Sequence, residues 1–137
     1  LIEGVGDFIN RCRKSGIDLC IVSHKTEFGH DDFERVNLRD AATAWLEEKG
    51  FFDAERYGFR RAAVFFESSR EDKINRIAKI GCTHFIDDLE ETFLERSFPE
   101  SVEKILYSPQ KLESSKADVK LAGDWQRITE YLFNDAG

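Results

Sequence analysis

Four short, largely apolar, β-rich runs, each ending in polar residues and separated from the next by a helical pattern, constrain this chain more than any other feature. The runs are 17–22 (IDLCIV), 62–66 (AAVFF), 83–86 (THFI) and 102–107 (VEKILY). A run that is apolar throughout, as 62–66 is, rather than at every second position, belongs to a strand covered on both faces. Between the runs the apolar period changes to that of a helix. Val5, Phe8, Ile9 and Cys12 form one stripe, closed by Ser15-Gly16. Asn37 caps a second helix carrying Leu38, Ala41, Ala42, Trp45 and Leu46, which ends at Lys49-Gly50. Ser68 or Ser69 opens a third with Ile74, Ile77, Ala78 and Ile80, and Gly81 stops it. A short helix around Leu89 and Phe93 is ended by Pro99, and Trp125, Ile128, Tyr131 and Leu132 predict a terminal one. Residues 27–36 read as a polar loop, and 53–61 have no regular pattern. Four strands alternating with helices predict an α/β domain over 1–137, a three-layer, Rossmann-like parallel sheet.

In such sheets ligands lie where the strands end, and the residues found there carry chemistry. Asp87-Asp88 ends the third run. Adjacent carboxylates repel unless a cation or hydrogen-bond donors compensate them, and a hard divalent ion such as Mg²⁺ is the natural compensator. The competing explanation is that one aspartate caps the next helix, but a cap needs only one of the two. Lys73 precedes Asp87 by fourteen residues (87 − 73) and opens a helix, so a βα unit returns it to the rim where the strands end. An ammonium there neutralises a phosphoryl group, whereas an isolated lysine in so charged a chain is ordinarily a solvated side chain. Arg70 is a weaker candidate for the same role. Ser23 and His24 follow the first run and offer a hydroxyl and an imidazole to a phosphate, although a serine after a strand is commonly a turn residue. His30 is a further candidate for substrate contact, and His84 is expected to be packed within its strand. No GxSxG, GxGxxG or GxxxxGK pattern is present.

Composition narrows the partners. With 41% hydrophobic residues, twelve of them Phe, the chain supplies one core, and its 34% charged residues are interleaved with apolar ones as on a folded surface. The net charge of −7 and pI near 5.0 disfavour nucleic acid and anionic membranes. Cys12, Cys20 and Cys82 are an odd number with no CxxC spacing, as expected of reduced thiols in a cytoplasmic protein. No apolar run approaches the roughly 20 residues that span a bilayer, and no signal-peptide pattern opens the chain. It begins at Leu1 with Ile2-Glu3-Gly4 apparently inside an element, so a longer natural chain is expected.

Taken together, the strand ending in Ser (IVSHKT), the helix opening near Lys (REDKINRIAKIG) and the strand ending in an acidic pair (HFIDDLEE) resemble, in order and spacing, the second, third and fourth motifs of the haloacid dehalogenase (HAD)-like superfamily. The resemblance covers roughly residues 4 to 110. It implies that Ser23 binds the transferring phosphoryl group, that Lys73 stabilises it, and that Asp87 and Asp88 hold Mg²⁺. One departure is decisive: the family's first motif, an apolar strand running into DxD, has no counterpart here. In the family that strand is central, between those matching the Ser23 and Asp87 strands. Its loss leaves two interior edges unpaired. The chain is therefore expected to be a truncated form whose natural counterpart extends upstream, to lack activity itself, and to be able to self-associate through the open edges.

For the intact protein the resemblance implies Mg²⁺-dependent hydrolysis of a phosphate monoester of unidentified structure through an aspartyl-phosphate. The short 27–36 loop leaves little room for a cap, which by analogy favours a bulky or macromolecule-borne phosphate. The rival is a non-catalytic module of a larger protein that keeps the fold for binding or regulation. A phospho-receiver domain also pairs acids with a lysine, but in the reverse order along the chain.

Overall fold

The three consecutive residues that close the first helix also decide where the first strand begins. In the computed structural model, which describes residues 1–24, 37–110 and 118–133, helix α1 (Val5–Lys14) ends with Gly16 at a positive φ of 72°. The Ile17 amide is then spent on the carbonyl of Cys12, at 2.9 Å. Ile17 is thus tied to the helix end, and strand β1 runs over Ile21–His24 instead of 17–22. The same cause shifts the second strand: Ala63 donates to Arg60 in a 3-10 turn (Arg61–Ala63), and β2 is Val64–Glu67. Helix α2 (Leu38–Glu48) lies between β1 and β2 in sequence, and its Asn37 cap is as expected, with Asn37 Oδ1 accepting from Asp40 N at 3.0 Å. Helix α3 (Arg70–Ile80) follows β2, with Ser69 Oγ accepting from Asp72 N at 3.0 Å. Then come β3 (His84–Asp87), α4 (Glu90–Leu94), β4 (Glu103–Tyr107), β5 (Val119–Ala122) and α5 (Trp125–Phe133).

The architecture is α/β with parallel sheets, as predicted at the level of class. Among the described residues one sheet has two strands, β1 and β2, and the other has three, in the order β3-β4-β5. All pairings are parallel. The chain forms two compact units, one of Leu1 with Ile9–Lys73 and one of Ile2–Phe8 with Ile74–Gly137.

In the first unit Ile9, Cys12, Val22, Leu46 and Phe51 are buried. Residues 53–61, without a pattern in the sequence, fold as a tight loop: Gly58 N donates to Asp53 O and Phe59 N to Phe51 O, at 2.9 and 2.7 Å. Phe51 gathers the rings of Tyr57 and Phe59 at 5.4 and 5.5 Å. Burial raises the pKa of the Cys12 thiol above its ordinary value. The neutral thiol is therefore favoured by folding, a contribution held below the ordinary thiol pKa and lost as pH rises through the raised one. Alkylation at pH 8 followed by mass spectrometry is expected to modify the partly exposed Cys20 and Cys82 first, and Cys12 only on unfolding.

In the second unit the central strand β4 is buried through Lys104, Ile105 and Leu106. Lys104, only 3% exposed, places Nζ 3.2 Å from Asp118 Oδ2 and 3.3 Å from the Val102 carbonyl, which keeps its charge compensated. Phe93 of α4 packs against Phe98 at 5.2 Å and Phe85 at 6.4 Å. Strand β5 was not apparent from sequence. Four expectations change, beginning with β3, which is His84–Asp87 instead of 83–86, and α4, which stops at Leu94 before Pro99 is reached. The fourth strand begins one residue late because Val102 N bonds to Pro99 O. His84 is exposed rather than packed, with Nδ1 2.9 Å from Thr83 Oγ1 and Nε2 3.7 Å from Glu103 Oε2. The 27–36 loop, including His30, lies outside the described residues.

Candidate functional site

Ser23, His24 and Asp87 fall at the carboxyl ends of strands, inside the ladders rather than beyond them, whereas Lys73 lies in α3 and Asp88 follows β3. Ser23 and His24 are the last two residues of β1, in register with Phe66 and Glu67 of β2. Backbone pairing continues through the polar residues because the ladder depends on amides and carbonyls, not on side-chain polarity. Ser23 is half-buried and His24 exposed. The His24 ring is anchored: Nε2 lies 3.0 Å from the Ser68 carbonyl, an acceptor, so this nitrogen carries the proton. Arg39, from the first turn of α2, donates through Nη2 to Ser68 Oγ at 2.8 Å. Two basic side chains from different elements therefore fix the turn that leads from β2 into α3. Arg39 carried no signal in the sequence, because a single arginine on a polar helix face is ordinary; only the fold connects it to Ser68.

Lys73 stands in the first turn of α3, its amide donating to Ser69 O at 3.0 Å. It is 8% exposed. The solvated-lysine alternative is thereby excluded, since a lysine with so little access to water is held by its surroundings. Ser23, His24 and Lys73 all belong to the first unit.

Asp87 and Asp88 belong to the second unit. Asp87, the last residue of β3, is 9% exposed, and its Oδ1 accepts from Leu89 N at 3.0 Å. That contact meets part of the capping explanation: one oxygen of one aspartate steadies the turn into α4. The cap position itself is Leu89, with no side-chain cap bond, and Asp88 is exposed. A carboxylate pinned at a strand end by a backbone amide, next to a solvent-facing one, is a donor set that suits Mg²⁺ in part. Two carboxylates are fewer than the six ligands this ion takes, and water commonly fills several of the others. Among the described residues no group of three or more His, Cys, Asp or Glu is placed to hold a metal. Among the same residues, no helix is long and apolar enough to cross a membrane.

No family model, no curated protein and no solved structure matches this chain.

Proposed function

We propose that this chain carries the phosphate-binding and Mg²⁺-binding portion of a HAD-like phosphohydrolase domain, without the strand that bears the nucleophile. The observation that carries the reading is the sheet order. Among the described residues, β1, which carries Ser23 and His24 at its end, pairs with β2 alone, and β3, which ends in Asp87, pairs with β4 alone, each at the end of its own parallel sheet. In the family those are the two strands that the central strand separates, and the two sheet orders support the resemblance. The burial of Lys73 and Asp87 adds support, because charged groups held away from water at strand ends commonly serve binding or catalysis.

In this reading Ser23, with the His24 ring beside it, receives the phosphoryl oxygens of a phosphate monoester. Lys73 neutralises the group and steadies the attacking carboxylate. Asp87 and Asp88 would hold Mg²⁺, which when bound offsets phosphate charge. The attacking and proton-transferring carboxylates belong to an Asp-x-Asp strand that these 137 residues do not contain, and the isolated chain is inactive. The open edges of β1 and β3 also permit pairing with a second copy of the chain.

A second reading, a non-catalytic binding or regulatory module, draws on the Asp87–Leu89 contact and on the absence of a three-ligand group among the described residues. The coding sequence upstream of Leu1 separates the two. An apolar strand running into Asp-x-Asp, together with Mg²⁺-dependent release of phosphate from p-nitrophenyl phosphate by the extended chain, supports the hydrolase. A first aspartate replaced by another residue overturns it in favour of the module.

A further inference from the structure

A cavity of about 390 Å³ opens in the first unit where β1 and β2 begin, at the end of that sheet opposite Ser23 and His24. Its size lies at the small end of the range for ligand pockets, which suits a small molecule rather than a polymer. Ile17, Asp18 and Leu19, leading into β1, form one side; Tyr57, Phe59 and Arg60, leading toward β2, form the other. Arg13 makes a wall that is already built. Its guanidinium donates to the carbonyls of Arg56 and Ala54 at 2.6 and 2.9 Å. It also lies so close over Gly58 that a Cβ there would come within 2.6 Å of the Arg13 Cζ. Arg13 is thus committed to the loop carbonyls.

The other two charges differ. Asp18 and Arg60 are exposed, and among the described residues neither takes part in an ion pair. Ile17 beside them is 38% exposed, a large apolar side chain left facing solvent at the mouth. One anion, one cation and the apolar side chains of Ile17, Leu19 and Phe59, in an otherwise polar lining, complement a molecule that carries the opposite charges on a body with one apolar group. We propose that this cavity binds a free α-amino acid with an apolar or aromatic side chain. Its carboxylate meets Arg60, its ammonium meets Asp18, and its side chain lies against Ile17, Leu19 and Phe59. The proposal stands independently of the hydrolase reading.

The test is titration of the 15N-labelled 137-residue chain with L-phenylalanine, L-leucine, phenethylamine, which lacks the carboxylate, and 3-phenylpropanoate, which lacks the ammonium. Saturable shifts confined to the amides of 17–19 and 57–60 are expected, with each truncated ligand binding at least about 3-fold more weakly than phenylalanine, the scale of one exposed ion pair. Arg60→Gln is expected to abolish the preference for phenylalanine over phenethylamine, and Asp18→Asn its preference over 3-phenylpropanoate. Both positions are exposed, and the ligand comparison on the unaltered chain stands even if a variant fails to fold. No saturable shift up to about 10 mM, too weak for a specific site, equal binding of phenylalanine and both truncated ligands, or shifts elsewhere would overturn the proposal.

Discussion

Phe93→Ala is expected to destabilise the protein by about 3–5 kcal/mol, the largest loss of any single substitution considered. Phe93 is fully buried. Its ring meets Phe98 edge-on at 5.2 Å and Phe85 at 6.4 Å, so truncation removes its own burial and one partner from each of two aromatic pairs. The helix that carries it has only five residues and no side-chain cap. So short a helix is held by packing rather than by its own hydrogen bonds, and it has little means of collapsing to fill the void. Urea unfolding of the wild type and of Phe93→Ala measures the loss, and a melting temperature lowered by on the order of 10 °C should accompany it. Phe93→Leu, which keeps much of the volume, is expected to lose clearly less. A loss below about 1 kcal/mol for the alanine variant would place the weight of this core elsewhere.

The second large effect concerns Lys73. A buried ammonium retained for function holds the fold together less well than an apolar side chain of similar shape. On the hydrolase reading, Lys73→Met in a chain whose upstream sequence supplies an Asp-x-Asp strand is expected to lower kcat for p-nitrophenyl phosphate by about 10²–10³-fold, the scale of losing one group aimed at the transition state. Its melting temperature should fall by no more than a few degrees, because Met keeps the packing of the stem while the groups that hold the ammonium lose their partner. Comparing turnover with thermal unfolding separates the roles. A structural lysine would give the opposite pattern, with stability lost and the surviving folded fraction retaining its turnover.

The class of fold was legible because strands of a parallel sheet read as short, largely apolar runs between helical patterns, and AAVFF, which leads into β2, is the plainest case. Caps were legible too, since Asn37 and Ser69 act through a local hydrogen bond that the sequence spells out. Strand limits were not. They depend on which amides are already engaged, as Ile17 is by Cys12 and Val102 by Pro99, and no hydropathy pattern records that. Strand β5 was missed because VKLA is four residues long, with Lys120 among them, and gains its place only from pairing with β4. Of the candidate site, Ser23, Lys73 and the acidic pair were visible as residue types at strand and helix ends. The burial of Lys73 and the anchoring of His24 and Arg39 on Ser68 were not, because both depend on tertiary neighbours.

The central claim is that Asp87 and Asp88 are metal ligands and not merely turn residues. Titrating Mg²⁺ into the 15N-labelled chain and into Asp87→Ala, while following amide shifts, tests it most directly. Saturable shifts centred on residues 87–89 are expected, with an affinity on the order of millimolar, as two protein ligands out of six allow. Their disappearance is expected in a variant that remains folded. Equal responses of the two chains, or no localised response in either, would contradict that claim.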